Sequence, residues 1–288
     1  MKVRKKINFT FGDFIIYFIL VMTLIVTLYP ILNVFAVSLS KYSTVLMHPF
    51  MVIPRDLDFT SYQWVLSHPL IWTTYKNTII VTVASVVLSM FLISTYAYPL
   101  ATEGFRGKKI FTSILVFTMF FNGGLIPNFY LVQSIGIYNT LWALIIPASM
   151  SAYNTILMIN FIRAIPPSLK EAARIDGANE MFVFTRIVLP LSKPIIATLS
   201  LFVAVTRWNS FFSAIIYIRD QGLWTLQLLL REILFSTENF LDDTSSMNLP
   251  VQGMKYAVII VAVVPILCVY PFIQKYFAKG IMLGAVKG

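Results

Sequence analysis

Very few side chains in this 288-residue sequence are placed to do chemistry. The two histidines, His48 and His68, each stand directly before a proline and share no metal-ligand spacing, so both read as loop residues. The single cysteine, Cys268, lies in an apolar run as a small hydrophobe and leaves no internal disulfide framework. No Gly-rich phosphate loop occurs, so no group on this chain is expected to hold ATP or Mg2+, and no metal or cofactor is expected here. Two constellations remain. One is Arg207-Trp208-Asn209, inside an apolar stretch: an aromatic ring beside hydrogen-bond donors can stack on the C–H face of a sugar while the donors pair with its hydroxyls. The same arginine can instead be structural, bonding carbonyls or a neighbouring helix. The other is the polar segment 163–194, with small residues, acids and bases at helical spacing.

The elements that must position these groups are apolar helices. The chain is 58% hydrophobic and 12% charged, about half the charged share of an ordinary soluble domain. Six stretches, roughly 14–37, 77–100, 110–133, 139–162, 195–218 and 256–278, are each long enough to cross a hydrocarbon core about 30 Å thick as a helix. Five have no charged residue in their interior; the fifth in order contains Arg207. A cation at that depth costs at least about 2.5 kcal/mol and should face protein or water. In the third stretch Asn122, Gly123, Gly124 and Pro127 interrupt the helix, as is tolerated in lipid only where backbone lines a cavity or is buried in protein. Close helix packing through the glycines is the alternative. Asn154 and Asn160, in the fourth stretch, read as hydrogen bonds between helices.

The net charge of +10 would point to nucleic acid in a soluble protein, but its distribution points to a membrane. Of 22 Lys and Arg, 15 fall in the N-terminus, the 101–109 loop, the 163–194 loop and the tail from Lys275; six fall on the other side, with Arg207 remaining. This asymmetry predicts a single 1–288 membrane domain with both termini in the cytoplasm. The first stretch is too long for a signal-peptide core and lacks a small-residue cleavage site, so it is expected to stay as a span. Segments 38–76 and 219–254 lie on the outer side, and short interfacial helices are expected in the first and a helix plus a loop in the second.

Local rules give the 163–194 loop structure. Pro166 and Pro167 end the preceding span, and Ser168 with Glu171 has capping-box spacing, so a helix is expected from Ser168. Leu169, Ala172, Ala173 and Asp176 adjoin on it, with Lys170 and Arg174 on another face. Gly177 suits the left-handed end of this helix, Asn179 caps a second one, and Pro190 and Pro194 close that helix. The expected product is a helix–turn–helix standing off the membrane, whose small residues let a partner approach closely. An ordinary capped helix pair without a partner satisfies the same rules.

Glu171-Ala172-Ala173, three residues, Gly177, nine residues and then Ile187-Val188-Leu189-Pro190 resembles, at every fixed position, the EAA motif of binding-protein-dependent ABC importer permeases. Arg174 to Ala178 and Leu189 to Pro194 are similar to the carbohydrate-uptake, maltose-permease-like branch. Phe121 to Pro127, Trp208 to Phe212 and the tail Gly284 to Gly288 resemble a subgroup handling complex oligosaccharides. The resemblance implies a type I permease fold of six transmembrane helices in the bacterial cytoplasmic membrane. It implies a heterodimer with a second permease, two copies of a cytoplasmic ATPase carrying the ATP and Mg2+, and an extracytoplasmic solute-binding protein that delivers the sugar. Glu171, Ala172, Ala173, Asp176 and Gly177 would then couple to the ATPase, with Arg207, Trp208, Asn209 and Asn122 along the substrate path. The competing readings are a secondary transporter for a small polar solute, which would call for acidic groups well inside the spans, and an intramembrane enzyme, which would call for a His, Asp, Glu or Cys constellation there; neither set of residues is found.

Overall fold

The computed structural model describes residues 11–239 and 253–268, and every described segment of regular structure is helical. Among the described residues two helices are long and apolar enough to cross a membrane unbroken: α1 (Phe11–Ser38) and α4 (Ile71–Ala101). Both match the first two apolar stretches and extend past them, chiefly on the N-terminal side, where α1 is described from Phe11 and α4 begins at Ile71.

The chain divides into two compact units. In the first, residues 1–68 and 233–262, the C-terminal part of α1 is tied to the chain that follows it. Asn33 Nδ2 donates to the carbonyls of Pro49 and Met51 at 3.0 and 2.8 Å, and the Ser38 and Tyr62 hydroxyls share a 2.7 Å hydrogen bond. Ala36, Val37, Val45 and Met51 form its small core. The 38–76 segment contains two short helices, α2 (Tyr42–Met47) and α3 (Thr60–Leu66). Along most of α1 the apolar side chains are exposed, as suits a helix whose neighbour is lipid.

The second unit, residues 69–232 and 263–288, holds both candidate sites. Here α4 packs against α8 (Ala152–Ala164) and α12 (Lys193–Trp208). Ile93, Ala97 and Leu100 of α4 meet Leu115 of α5 (Lys108–Phe120), Met158 and Ile162 of α8, and Leu199 of α12. Further along α4 the polar side chains hold backbone. Asn77 Nδ2 donates to the Gly222 and Trp224 carbonyls at 2.8 and 3.0 Å, and the Thr78 hydroxyl accepts from Leu226 N–H at 2.8 Å. The segment so held contains a 3-10 turn (Gln221–Leu223) and opens α14 (Leu226–Asn239), giving the 219–254 segment its helix; residues 240–252 lie outside the described residues. Ser85 and Ser89, fully buried on α4, bring no bulk to the helix contacts, which lets backbones approach.

Three apolar stretches are broken. The third becomes α5 and α6 (Leu125–Ser134), bent by 118°. The break was expected from Asn122-Gly123-Gly124: Gly124 has φ +85°, and its N–H donates to Asn122 Oδ1 at 2.9 Å. The fourth stretch, expected as one helix, consists of α7 (Trp142–Ile145) and α8, because Pro147 cannot donate in a continuing ladder and Ser151 caps α8 by accepting from Asn154 N–H. The fifth, also expected unbroken, stops at Trp208 and resumes as α13 (Phe212–Tyr217). The sixth is described as α15 (Gly253–Cys268); its residues 269–278 lie outside the described residues.

Candidate functional site

The segment after α8 folds as α9 (Pro167–Ile175), a turn, and a helical run of α10 (Glu180–Phe182), a π-helical portion (Val183–Val188) and α11 (Leu189–Leu191). The capping box does not form. Pro167 sits in the first turn with its φ already helical, Pro166 takes the cap position, and no side chain caps α9, so the helix starts one residue before Ser168. Pro190 is likewise carried inside the second helical run, which instead bends by 74° at Ser192 into α12.

The turn follows the expectation closely. Gly177 has φ +85°. Its N–H donates to the Arg174 carbonyl at 3.0 Å and the Ala178 N–H to the Ala173 carbonyl at 2.9 Å, a Schellman closure. Asn179 Oδ1 accepts from Phe182 N–H at 2.8 Å and so caps the second helix. Glu171, Ala172, Asp176 and Gly177 are exposed, with Ile175 beside them 86% exposed. Ala173 turns inward against the core, and the second helix is anchored there by Val183 and Val188, both fully buried.

Three features of this region have no counterpart in the motif reading. Lys170 is 9% exposed, and its ammonium reaches the Ile162 carbonyl at 3.3 Å, satisfying an end carbonyl of α8; burial first, then Arg174, pulls it below the usual lysine range. Arg174 Nε donates to Glu180 Oε1 at 2.8 Å across the turn. The other carboxylate oxygen, Glu180 Oε2, accepts from the Tyr98 hydroxyl of α4 at 2.6 Å. The Tyr98 hydrogen bond, followed by that of Arg174, holds the Glu180 carboxyl below the ordinary carboxylate range. Residues six apart do not meet on a helix face, so Arg174 and Glu180 become partners only once Gly177 has reversed the chain. Tyr98 in turn is one of two tyrosines, with Tyr96, in the 77–100 apolar run.

The second candidate region lies at the end of α12. Arg207 is not mid-helix; it occupies the last turn, where the helix dipole favours a cation. Its Nη2 donates to the Ala148 carbonyl at 2.6 Å, a carbonyl in the break between α7 and α8. Its Nε–H is buried without a hydrogen-bond partner among the described residues, and no carboxylate there pairs with it. Trp208 is buried, its ring 6.4 Å from that of Tyr75 on α4. Asn209 ends the helix, its Nδ2 donating back to the Val205 carbonyl at 2.9 Å. Asn122 serves its own turn, its Oδ1 accepting from Gly124 N–H. Among the described residues no group of acids, histidines or cysteines is arranged to hold a metal.

Residues 4–283 match the family model described as binding-protein-dependent transport system inner membrane component. The polygalacturonan/rhamnogalacturonan transport system permease protein YtcP of Bacillus subtilis (strain 168) is 42% identical over 280 residues, covering 96% of this chain and 98% of that protein. Protein LplC of the same organism is 40% identical, covering 91% of this chain and 90% of its own length. Among solved structures, a chain of a bacterial ABC transporter involved in the import of the acidic polysaccharide alginate superposes with a TM-score of 0.86 at 34% identity, over 94% of this chain and 99% of that one.

Proposed function

The chain belongs to the family of binding-protein-dependent transport system inner membrane components, and from that premise we propose that it is one permease of an ATP-driven oligosaccharide importer. In this reading it spans the cytoplasmic membrane six times, with both termini inside. It pairs with a second permease, and a solute-binding protein delivers the sugar from outside. Two copies of a separate ATPase hydrolyse ATP; this chain hydrolyses none. Membership of a binding-protein-dependent family sets the secondary-transporter reading aside.

The observation that carries the proposal is the exposed turn at 171–177. Its Schellman closure and capped second helix present Glu171, Ala172, Asp176 and Gly177 rigidly, while Val183 and Val188 seat the base of the element in the core made by α4 and α8. A partner pushing on the turn therefore pushes on packed helices. Co-expression with its second permease and ATPase should return a complex that retains the ATPase through detergent purification. A permease pair that retains none would overturn the reading.

The orientation is tested separately. In a chain with Cys268→Ser, a membrane-impermeant thiol reagent added to intact cells is expected to label Ser245→Cys and to leave Arg106→Cys unlabelled until the membrane is opened. The reverse pattern would invert the topology.

The substrate class we favour is an acidic, uronate-bearing oligosaccharide. Arg207 is a guanidinium in an apolar stretch with no carboxylate partner among the described residues, and a ligand carboxylate would supply one in fork geometry. The polygalacturonan and alginate transporters among the similar proteins support the same reading.

A further inference from the structure

We propose that Tyr98 and Glu180 are positioning residues that lock the exposed turn at 171–177 to α4, adding one directed hydrogen bond to the packed contact through which movement of the turn reaches that helix; this rests on reading the turn as the ATPase-docking element. The chain of contacts is continuous. Arg174 in the last turn of α9 bonds Glu180 Oε1 at 2.8 Å, and Tyr98 bonds Glu180 Oε2 at 2.6 Å. Glu180 is the first residue of α10 and Arg174 lies at the end of α9, so each charge also suits its helix end.

The two links are unequal. Arg174 and Glu180 are 40% and 57% exposed at their side chains, and an exposed ion pair contributes little. The Tyr98 hydroxyl comes from a side chain only 9% exposed, with its ring centroid 4.9 Å from that of Phe184 in the π-helical portion. A hydrogen bond to a carboxylate in that partly buried setting is the stronger link. It is not what keeps the element folded: Val183, Val188 and the Lys170–Ile162 contact hold its base independently. What the Tyr98–Glu180 bond adds is a fixed angle between the turn and α4, the helix whose other half holds the 222–226 backbone through Asn77 and Thr78.

Tyr98→Phe keeps the ring against Phe184 and removes only the donor; Glu180→Gln keeps the shape and removes the charge. The test uses the complete complex of both permeases and the ATPase in lipid nanodiscs, with ATP turnover counted per bound ATPase. Each single variant is expected to lower kcat about fivefold, the scale of one coupled contact. KM for ATP should be unchanged, because the nucleotide sites are not on this chain, and complex yield should match the parent. The double variant should be no slower than either single one. Unchanged kcat in both single variants, losses that multiply in the double, or a fall in yield with normal turnover would each overturn the proposal. If the unaltered complex retains no ATPase, it is the docking reading that fails instead.

Discussion

Gly177→Val is expected to reduce transport by at least about fivefold while leaving membrane insertion intact, the largest effect of any single substitution in the polar loop. The position has φ +85°, and a Cβ placed there meets nothing within 4 Å, so the loss is conformational and not steric crowding. Holding an L-residue in the left-handed region costs roughly 1–2 kcal/mol, more severely for a β-branched one. One or two kcal/mol lowers the population of the correctly turned element by a factor of about 5 to 30. Because Val183 and Val188 anchor the second helix independently, the chain should still fold and the second permease still bind. Gly177→Asn is the control, since Asn tolerates this backbone region; it should keep most of the activity. Uptake in cells, with permease abundance measured in parallel, distinguishes the outcomes. Equal transport by the Val and Asn variants would show that the turn's conformation is not what the partner reads.

Arg207→Ala is expected to lower uptake of a uronate-bearing oligosaccharide by about tenfold or more, since hydrogen bonds to charged groups contribute about 1.5–3 kcal/mol each. Uptake of a neutral oligosaccharide should fall less. Arg207→Lys keeps the charge and loses the fork, so its effect should be intermediate. Asn209→Ala should change little, because Asn209 Nδ2 is already engaged with the Val205 carbonyl of its own helix. The competing role is visible in the geometry: Nη2 holds the Ala148 carbonyl at 2.6 Å and so bridges α12 to the break between α7 and α8. If that bridge is all Arg207 does, the Ala variant will lose complex yield and thermal midpoint first, and uptake of acidic and neutral sugars will fall together. Radiolabelled uptake of the two sugar classes beside a thermal-shift measurement on the purified complex separates these cases.

Much of the fold could be read from the chain alone, because lipid removes most alternatives. A run such as 77–100 without charge must satisfy its backbone internally, and a helix is the only way for one segment to do so. The turn at Gly177 was legible for a similar reason: a left-handed end, an Asn cap three residues before its N–H donor partner, and flanking prolines are local devices, and local devices act before any packing. The break at Asn122-Gly123-Gly124 followed from the same rules. The start of α9 was misplaced by one residue because two local signals competed there, and proline's fixed φ prevailed over the Ser168 capping box.

What only the tertiary structure decided is which distant groups meet. Apolar stretches that look uniform in sequence broke at Pro147 and after Asn209, and those breaks put the Ala148 carbonyl within reach of Arg207 and moved that arginine from mid-helix to a helix end. Tyr98 and Glu180 are 82 positions apart, and nothing in either neighbourhood marks one as the other's partner. Lys170, which by periodicity should share a solvated face with Arg174, is buried, its ammonium drawn to the Ile162 carbonyl at the end of α8. Periodicity reports a helix and one of its faces. It carries no information on what that face will meet, since that depends on where the turns send the next helix.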